Sequence, residues 1–107
     1  MLSRTGTGDV HAGNTTKDYG LTTVHHMGAV NAQTAMQWAF ANMVQDPDTV
    51  ATVGCSAGSM GSFINAPYVN RQFPRAKKVH WADSYLGVIS ETQFTEGYEN
   101  WNMQFAP

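Results

Sequence analysis

The sequence predicts an α/β fold of parallel strands joined by crossover helices. Short β-favouring runs alternate with helical stripes, one of those runs ends abruptly in a serine boxed by glycines, and a helical pattern starts immediately after it. Strand, helix, strand, helix, strand is the order that lays parallel strands side by side with helices crossing over between them.

Residues 1–20, rich in Gly, Thr and Asp, read as loop. Leu21-Thr22-Thr23-Val24-His25-His26 is β-favouring and reads as a strand or strand end. From Asn31 the period changes. Ala32, Ala35, Met36, Ala39, Phe40 and Met43 recur at helical spacing, with Gln33, Thr34, Gln37 and Asn42 elsewhere, and Asp46-Pro47 ends this amphipathic helix. Val50 to Gly54 reads as a short buried strand. A second stripe follows at Ala57, Met60, Gly61, Ile64 and Tyr68, with Pro67 expected to kink or interrupt it. Val79-His80-Trp81-Ala82 reads as another strand, ending at Asp83-Ser84. The strand, helix and elbow core thus spans residues 21–90, and residues 91–107 are left unassigned.

At 107 residues the chain is long enough for one core, and one domain or part of one is the expectation. Asp, Glu, Lys and Arg make up 13% of residues and the formal net charge is −2, so no basic surface is offered to phosphates and nucleic acid is not an expected partner. The basic cluster from Arg71 to Lys78 reads as a solvated helix end and loop. No apolar run approaches the length of a membrane span, and the first residues hold no signal-peptide core. Asn14-Thr15-Thr16 is a glycosylation sequon. Cys55 is the single cysteine, which rules out an internal disulfide and a thiolate cluster.

Gly54-x-Ser56-x-Gly58 lies between a predicted strand and a predicted helix, the context of a nucleophile elbow. There a serine is held on a sharp, strained turn, and both flanking glycines are expected to let the backbone pass where a Cβ would clash. The helix beginning at Ala57 brings free N–H groups and a positive dipole end, so the Ala57 N–H is the natural oxyanion donor. The plainer alternative is that Ser56 merely caps the helix. Cys55 beside it reads as a small buried hydrophobe.

A serine hydroxyl needs a base, usually a histidine oriented by a carboxylate, and on this type of fold the chain order is Ser, then Asp or Glu, then His. After Ser56 the only histidine is His80 and the only aspartate is Asp83, and no histidine follows Asp83. His80 falls inside a predicted strand beside that of Ser56, a place for packing. The expectation is that acid and base lie outside this chain. His25 and His26 are adjacent and point to opposite faces of a strand, so they cannot readily share a metal. A site combining His11, one of this pair and Asp9 or Asp18 competes with ordinary loop hydrogen bonding.

Beyond the pentapeptide, the blocks TGDVHAGN (Thr7 to Asn14), TVHHMGAVNAQTAMQWAF (Thr23 to Phe40), VATVGCSAGSMGS (Val50 to Ser62) and ADSYLGV (Ala82 to Val88) carry a wider likeness. The chain resembles the central part of a pectin acetylesterase, in the family that includes the Notum carboxylesterases. The resemblance implies a partial α/β-hydrolase-like fold, residues 1–107 being a fragment of one esterase domain. It implies a serine carboxylic-ester hydrolase that deacetylates pectin or a related polysaccharide, uses no cofactor or metal, and is secreted or extracellular. Ser56 matches the family nucleophile and Ala57 the oxyanion donor after it. The family's catalytic Asp and His fall beyond the segment matching Val88, and its glycine-rich oxyanion loop falls before Met1. Asp83 matches a strand-end motif rather than the triad acid. Gly6 stands where many members have cysteine, and Ser59 replaces a glycine often found there. Met60 and the Tyr85 to Val88 segment are expected near the acyl side of the pocket, leaving acetyl and longer acyl chains both open. The competing class is a non-catalytic carbohydrate- or partner-binding module on the same scaffold. In that class Trp38, Trp81, Tyr85, Tyr98 and Trp101 would stack on sugars, although such spacings more often mark core residues.

Overall fold

The computed structural model describes residues 7–104 with the exception of Leu86. Gly6 and the rest of the first residues, Leu86 within the Tyr85 to Val88 segment, and residues 105–107 lie outside the described residues. The elements run β1 (Thr15–Asp18), β2 (Thr23–His26), α1 (Gly28–Asn42), β3 (Thr49–Cys55), α2 (Ala57–Gln72), β4 (Lys77–Asp83) and α3 (Glu91–Trp101).

The strands form not one parallel sheet but two sheets of two strands each, β1 with β2 and β3 with β4. The β3–α2–β4 unit is the parallel crossover that the alternation predicts, with Val53 opposite Trp81 and Cys55 opposite Asp83. The strand of Thr23–His26 does not join it. It pairs antiparallel with β1, Thr15 facing His26 and Asp18 facing Thr23. Residues 1–20 are therefore not all loop. The β1 strand is closed onto β2 by a tight reversal in which the Asp18 carboxylate accepts from Gly20 N–H at 2.8 Å and the Tyr19 N–H donates to Thr22 O at 2.9 Å.

Helix α1 begins three residues before the apolar stripe does, at Gly28, and ends at Asn42, ahead of Asp46-Pro47. Its N-cap residue, Met27, has no side chain able to cap. The missing acceptor comes from elsewhere in the chain. The Asp9 carboxylate, with no exposed surface, accepts from Gly28 N–H at 2.7 Å and from the Thr7 hydroxyl at 2.9 Å. A carboxylate there satisfies an orphan donor and faces the positive end of the helix dipole. At its other end α1 is held by Phe40, whose ring meets Phe73 edge-on at 5.5 Å and Tyr68 at 5.6 Å. Phe40 and Val69 pack on the buried cluster of Val50, Phe73 and Ala76.

Helix α2 runs through Pro67 without interruption. Pro67 is exposed, and the buried face is carried by Ser59, Gly61, Ser62 and Ala66. It is a face of small residues that brings the helix close to the sheet. Of residues 91–107, left unassigned from the sequence, Glu91–Trp101 form α3, which Ser90-x-x-Gln93 starts as a capping box, the Ser90 hydroxyl accepting from Gln93 N–H and the Gln93 side chain accepting from Ser90 N–H. The left-handed Asn102 closes that helix, its N–H donating to Tyr98 O at 3.0 Å.

Of the aromatic residues, Trp38, Trp81 and Tyr98 are not core, being 64%, 68% and 54% exposed. Trp81 lies beside Val53 on a face of the β3–β4 sheet left open to solvent, where parallel strands are ordinarily covered on both sides. The basic cluster is solvated as expected. Among the described residues its one ion pair, Arg75 to Asp46 at 2.7 Å, is exposed on both sides.

Asp9→Ala leaves the Gly28 N–H without its buried acceptor and is expected to cost about 2 kcal/mol. Urea unfolding checks this, with Asp18→Ala in the exposed turn as the control at under about 1 kcal/mol.

Candidate active site

The chain turns from β3 into α2 at Ser56, whose backbone sits at φ 54 and ψ −124. That ψ lies far from the left-handed helical region, so the conformation is strained for a residue with a Cβ, at a cost of order 1–3 kcal/mol. What holds it is backbone. Ser56 N–H donates to Asp83 O at 3.0 Å, and Ser59 N–H donates to Ser56 O at 2.8 Å.

Ser59, fully buried, tightens the same turn. Its hydroxyl is 2.7 Å from Gly54 O and closer still to Asp83 O, so its single proton is shared between the carbonyl ends of both strands. In the sequence Ser59 is only a departure from a glycine. Its role as a staple needed the register that brings Asp83 alongside Cys55.

The glycines flanking Ser56 are not equivalent. A Cβ on Gly54 would run into the carbonyl of Gly58 and the nitrogen of Ser59, whereas a Cβ on Gly58 would meet nothing within 4 Å. The close approach that defines the turn is made at Gly54 alone.

Although Ser56 occupies the N-cap position of α2, its side chain makes no capping hydrogen bond. It is exposed at the head of the helix, next to Ala57, whose N–H is among those a helix leaves without an internal acceptor. Ser56, Ala57 and Gly58 line a cavity of about 870 Å³ that continues between the apolar face of α1 and β3 past Met36, Phe40 and Val69. Among the described residues no Asp, Glu, Lys or Arg lines it.

Cys55 is exposed rather than buried, because it takes the solvent-facing side of β3, and its thiol points to the Asp83 carboxylate at 3.5 Å. His80 is exposed on β4 rather than packed, but its ring is engaged. Its Nε2 lies 3.0 Å from Ser62 Oγ, and since that hydroxyl already donates to Ser59 O at 2.8 Å, the imidazole N–H is the donor. His26, buried, donates through Nδ1 to Thr7 O and accepts through Nε2 from the Tyr19 hydroxyl, each at 2.9 Å. His25 faces the other way, with Nδ1 2.9 Å from Thr16 Oγ1. Among the described residues no three of His, Cys, Asp and Glu are grouped to hold a metal ion. His11 stands apart from its namesakes, since it lines the same cavity as Ser56.

Residues 4–103 match the family described as pectinacetylesterase, nearly the whole chain. The chain belongs to the pectinacetylesterase family. Membership makes it a carboxylesterase-family protein whose class of substrate is acetylated polysaccharide, and members of this pectinacetylesterase group are generally extracellular. No curated protein and no solved structure matches it. Among the described residues no helix is long and apolar enough to cross a membrane.

The inequality of the glycines is directly measurable. Gly54→Ala is expected to abolish the turn, seen as loss of cooperative unfolding, while Gly58→Ala is expected to be neutral or up to about 1 kcal/mol stabilising in the same urea titration.

Proposed function

We propose that this protein is a serine carboxylesterase that removes acetyl groups from pectin or a related polysaccharide outside the cell, with Ser56 as nucleophile and the Ala57 N–H as an oxyanion donor. The observation that carries this reading is the backbone of Ser56. A serine that only capped α2 would use its hydroxyl on the first-turn N–H groups and adopt an extended φ, and Ser56 does neither. Strain of that kind persists where the surrounding structure enforces it, and here the Asp83 carbonyl, Ser59 and the Gly54–Gly58 approach do so.

In the reaction, Ser56 Oγ attacks the acetyl carbonyl carbon as a base removes its proton. The carbonyl oxygen becomes an oxyanion facing the Ala57 N–H at the positive end of α2. Collapse of that intermediate breaks the bond to the sugar oxygen, which takes up the proton, and leaves an acetyl-serine that water then hydrolyses. His25, His26 and His80 are engaged in hydrogen bonds elsewhere, and no carboxylate among the described lining residues is placed to orient His11, so in this reading the base and its orienting acid come from outside residues 7–104. We place residues 1–107 as the nucleophile-bearing part of a single α/β-hydrolase-like esterase domain whose remaining strands and helices cover the open face at Val53 and Trp81.

The exposure of Trp38, Trp81 and Tyr98 favours a second reading, a carbohydrate-binding module that keeps the scaffold without the chemistry. A fluorophosphonate probe separates the two. In the full-length protein Ser56 is expected to be labelled, and Ser56→Ala to abolish labelling. A protein that is not labelled, or a mutant labelled as before, would sink the nucleophile assignment.

A further inference from the structure

We infer that His11 is a substrate-contacting residue of this site, hydrogen-bonding a hydroxyl of the acetylated sugar through an imidazole nitrogen that faces the cavity beside Ser56. The inference rests on the reading of Ser56 as nucleophile and adds a saccharide contact to it.

His11 is 9% exposed, yet its ring makes no hydrogen bond among the described residues. Nor is any fully buried side-chain nitrogen left without a partner among them. The residue is thus nearly enclosed, and the space it borders is the cavity that Ser56, Ala57 and Gly58 also line. The other described histidines spend their nitrogens on Thr16, on Thr7 and Tyr19, and on Ser62.

The ring is held in place with unusual care. Val10 and His11 are consecutive non-glycine residues at positive φ, 48 and 64, a conformation costly for the β-branched Val10. It is enforced by Asp9, whose carbonyl accepts from Ala12 N–H at 3.0 Å and whose carboxylate is fixed to the start of α1. The imidazole is thereby laid against α2 at Gly61, where a Cβ would approach the ring at 2.5 Å. Gly61 is five residues beyond Ser56, about 7 Å along the helix axis. That rise is of the order of the separation between a hydroxyl on a sugar ring and the ester carbon attached to the same ring.

The cavity chemistry selects the ligand class. With no Asp, Glu, Lys or Arg among the described lining residues, an ionised carboxylate would enter without a fixed counter-charge from them, whereas a neutral hydroxyl needs a single hydrogen-bond partner. His11 provides one, and Asn65 in the same lining offers another nearby.

The test uses the full-length protein. His11→Asn is the primary variant, because Asn tolerates positive φ and so preserves the loop while shortening the reach of the polar atoms. Gly61→Ala is the second, displacing the ring without touching its chemistry. For each, kcat/KM is measured on an O-acetylated, fully methyl-esterified oligogalacturonide, which carries no ionised carboxylate, and on an aryl acetate that has no sugar, and the ratio of the two is expected to fall about tenfold, through KM for the sugar ester. In the Ser56→Ala protein, which cannot turn over, the His11 ring proton resonances are expected to move on adding the same oligogalacturonide. An unchanged ratio in both variants, an equal loss on both substrates, or His11 resonances that stay fixed at saturating oligosaccharide would overturn the inference. Absence of fluorophosphonate labelling at Ser56 would instead overturn the nucleophile assignment, and the resonance shift does not depend on it.

Discussion

The approach of the Gly54 backbone to the Gly58 carbonyl is the constraint on which the rest of the structure turns. It lets β3 reverse into α2 within a single residue, and that residue, Ser56, absorbs the geometric mismatch in its own φ and ψ. The strain is tolerable because the neighbouring strand supplies the counterweight. The Asp83 carbonyl accepts from Ser56 N–H and from the Ser59 hydroxyl, so the end of β4 is what fixes the head of α2. Parallel pairing, elbow and helix therefore form one unit, and the small residues along α2, Ser59, Gly61, Ser62 and Ala66, allow it to lie close to the strands.

A second constraint joins the rest of the chain to that unit. Buried Asp9 ties the loop before β1 to α1, Ala29 N–H and Gly13 O add a backbone link at 2.9 Å, and Asn14 N–H reaches Trp101 O at the same distance. The segment around residues 7–14 is thus a hub between hairpin, α1 and α3, and it carries His11 to the side of α2.

The open surfaces have a common cause. Val53 and Trp81 face solvent on one side of the β3–β4 sheet, and α1 touches the other elements chiefly through Phe40 near its end. A cavity of about 870 Å³ lies between that helix and β3, bounded by apolar side chains at spacings that normally mark a packed interface. The same space leaves the Ser56 hydroxyl and the His11 ring accessible.

Local order was legible wherever one residue type or one period fixes it. Gly54-x-Ser56-x-Gly58 between strand and helix announces the elbow, the Ala32 to Met43 stripe announces α1, and the Ser90-x-x-Gln93 box and the Asp18-x-Gly20 turn could have announced α3 and the hairpin by the same logic. Pairing was not legible. Whether Thr23–His26 lies beside β1 or β3 depends on which edge the later chain leaves free, a long-range matter that alternation of strands and helices cannot encode. Burial of particular polar groups was equally a tertiary decision. Nothing in the string distinguishes Asp9 from Asp18 or His11 from His25, yet one aspartate is fully enclosed at a helix start and one histidine is enclosed over an elbow helix, because residues far along the chain close over them. By itself the sequence determined the turn, the family and the serine it presents; the tertiary structure alone decided which glycine the turn needs and which histidine shares its cavity, since both follow from atoms brought within contact across the fold.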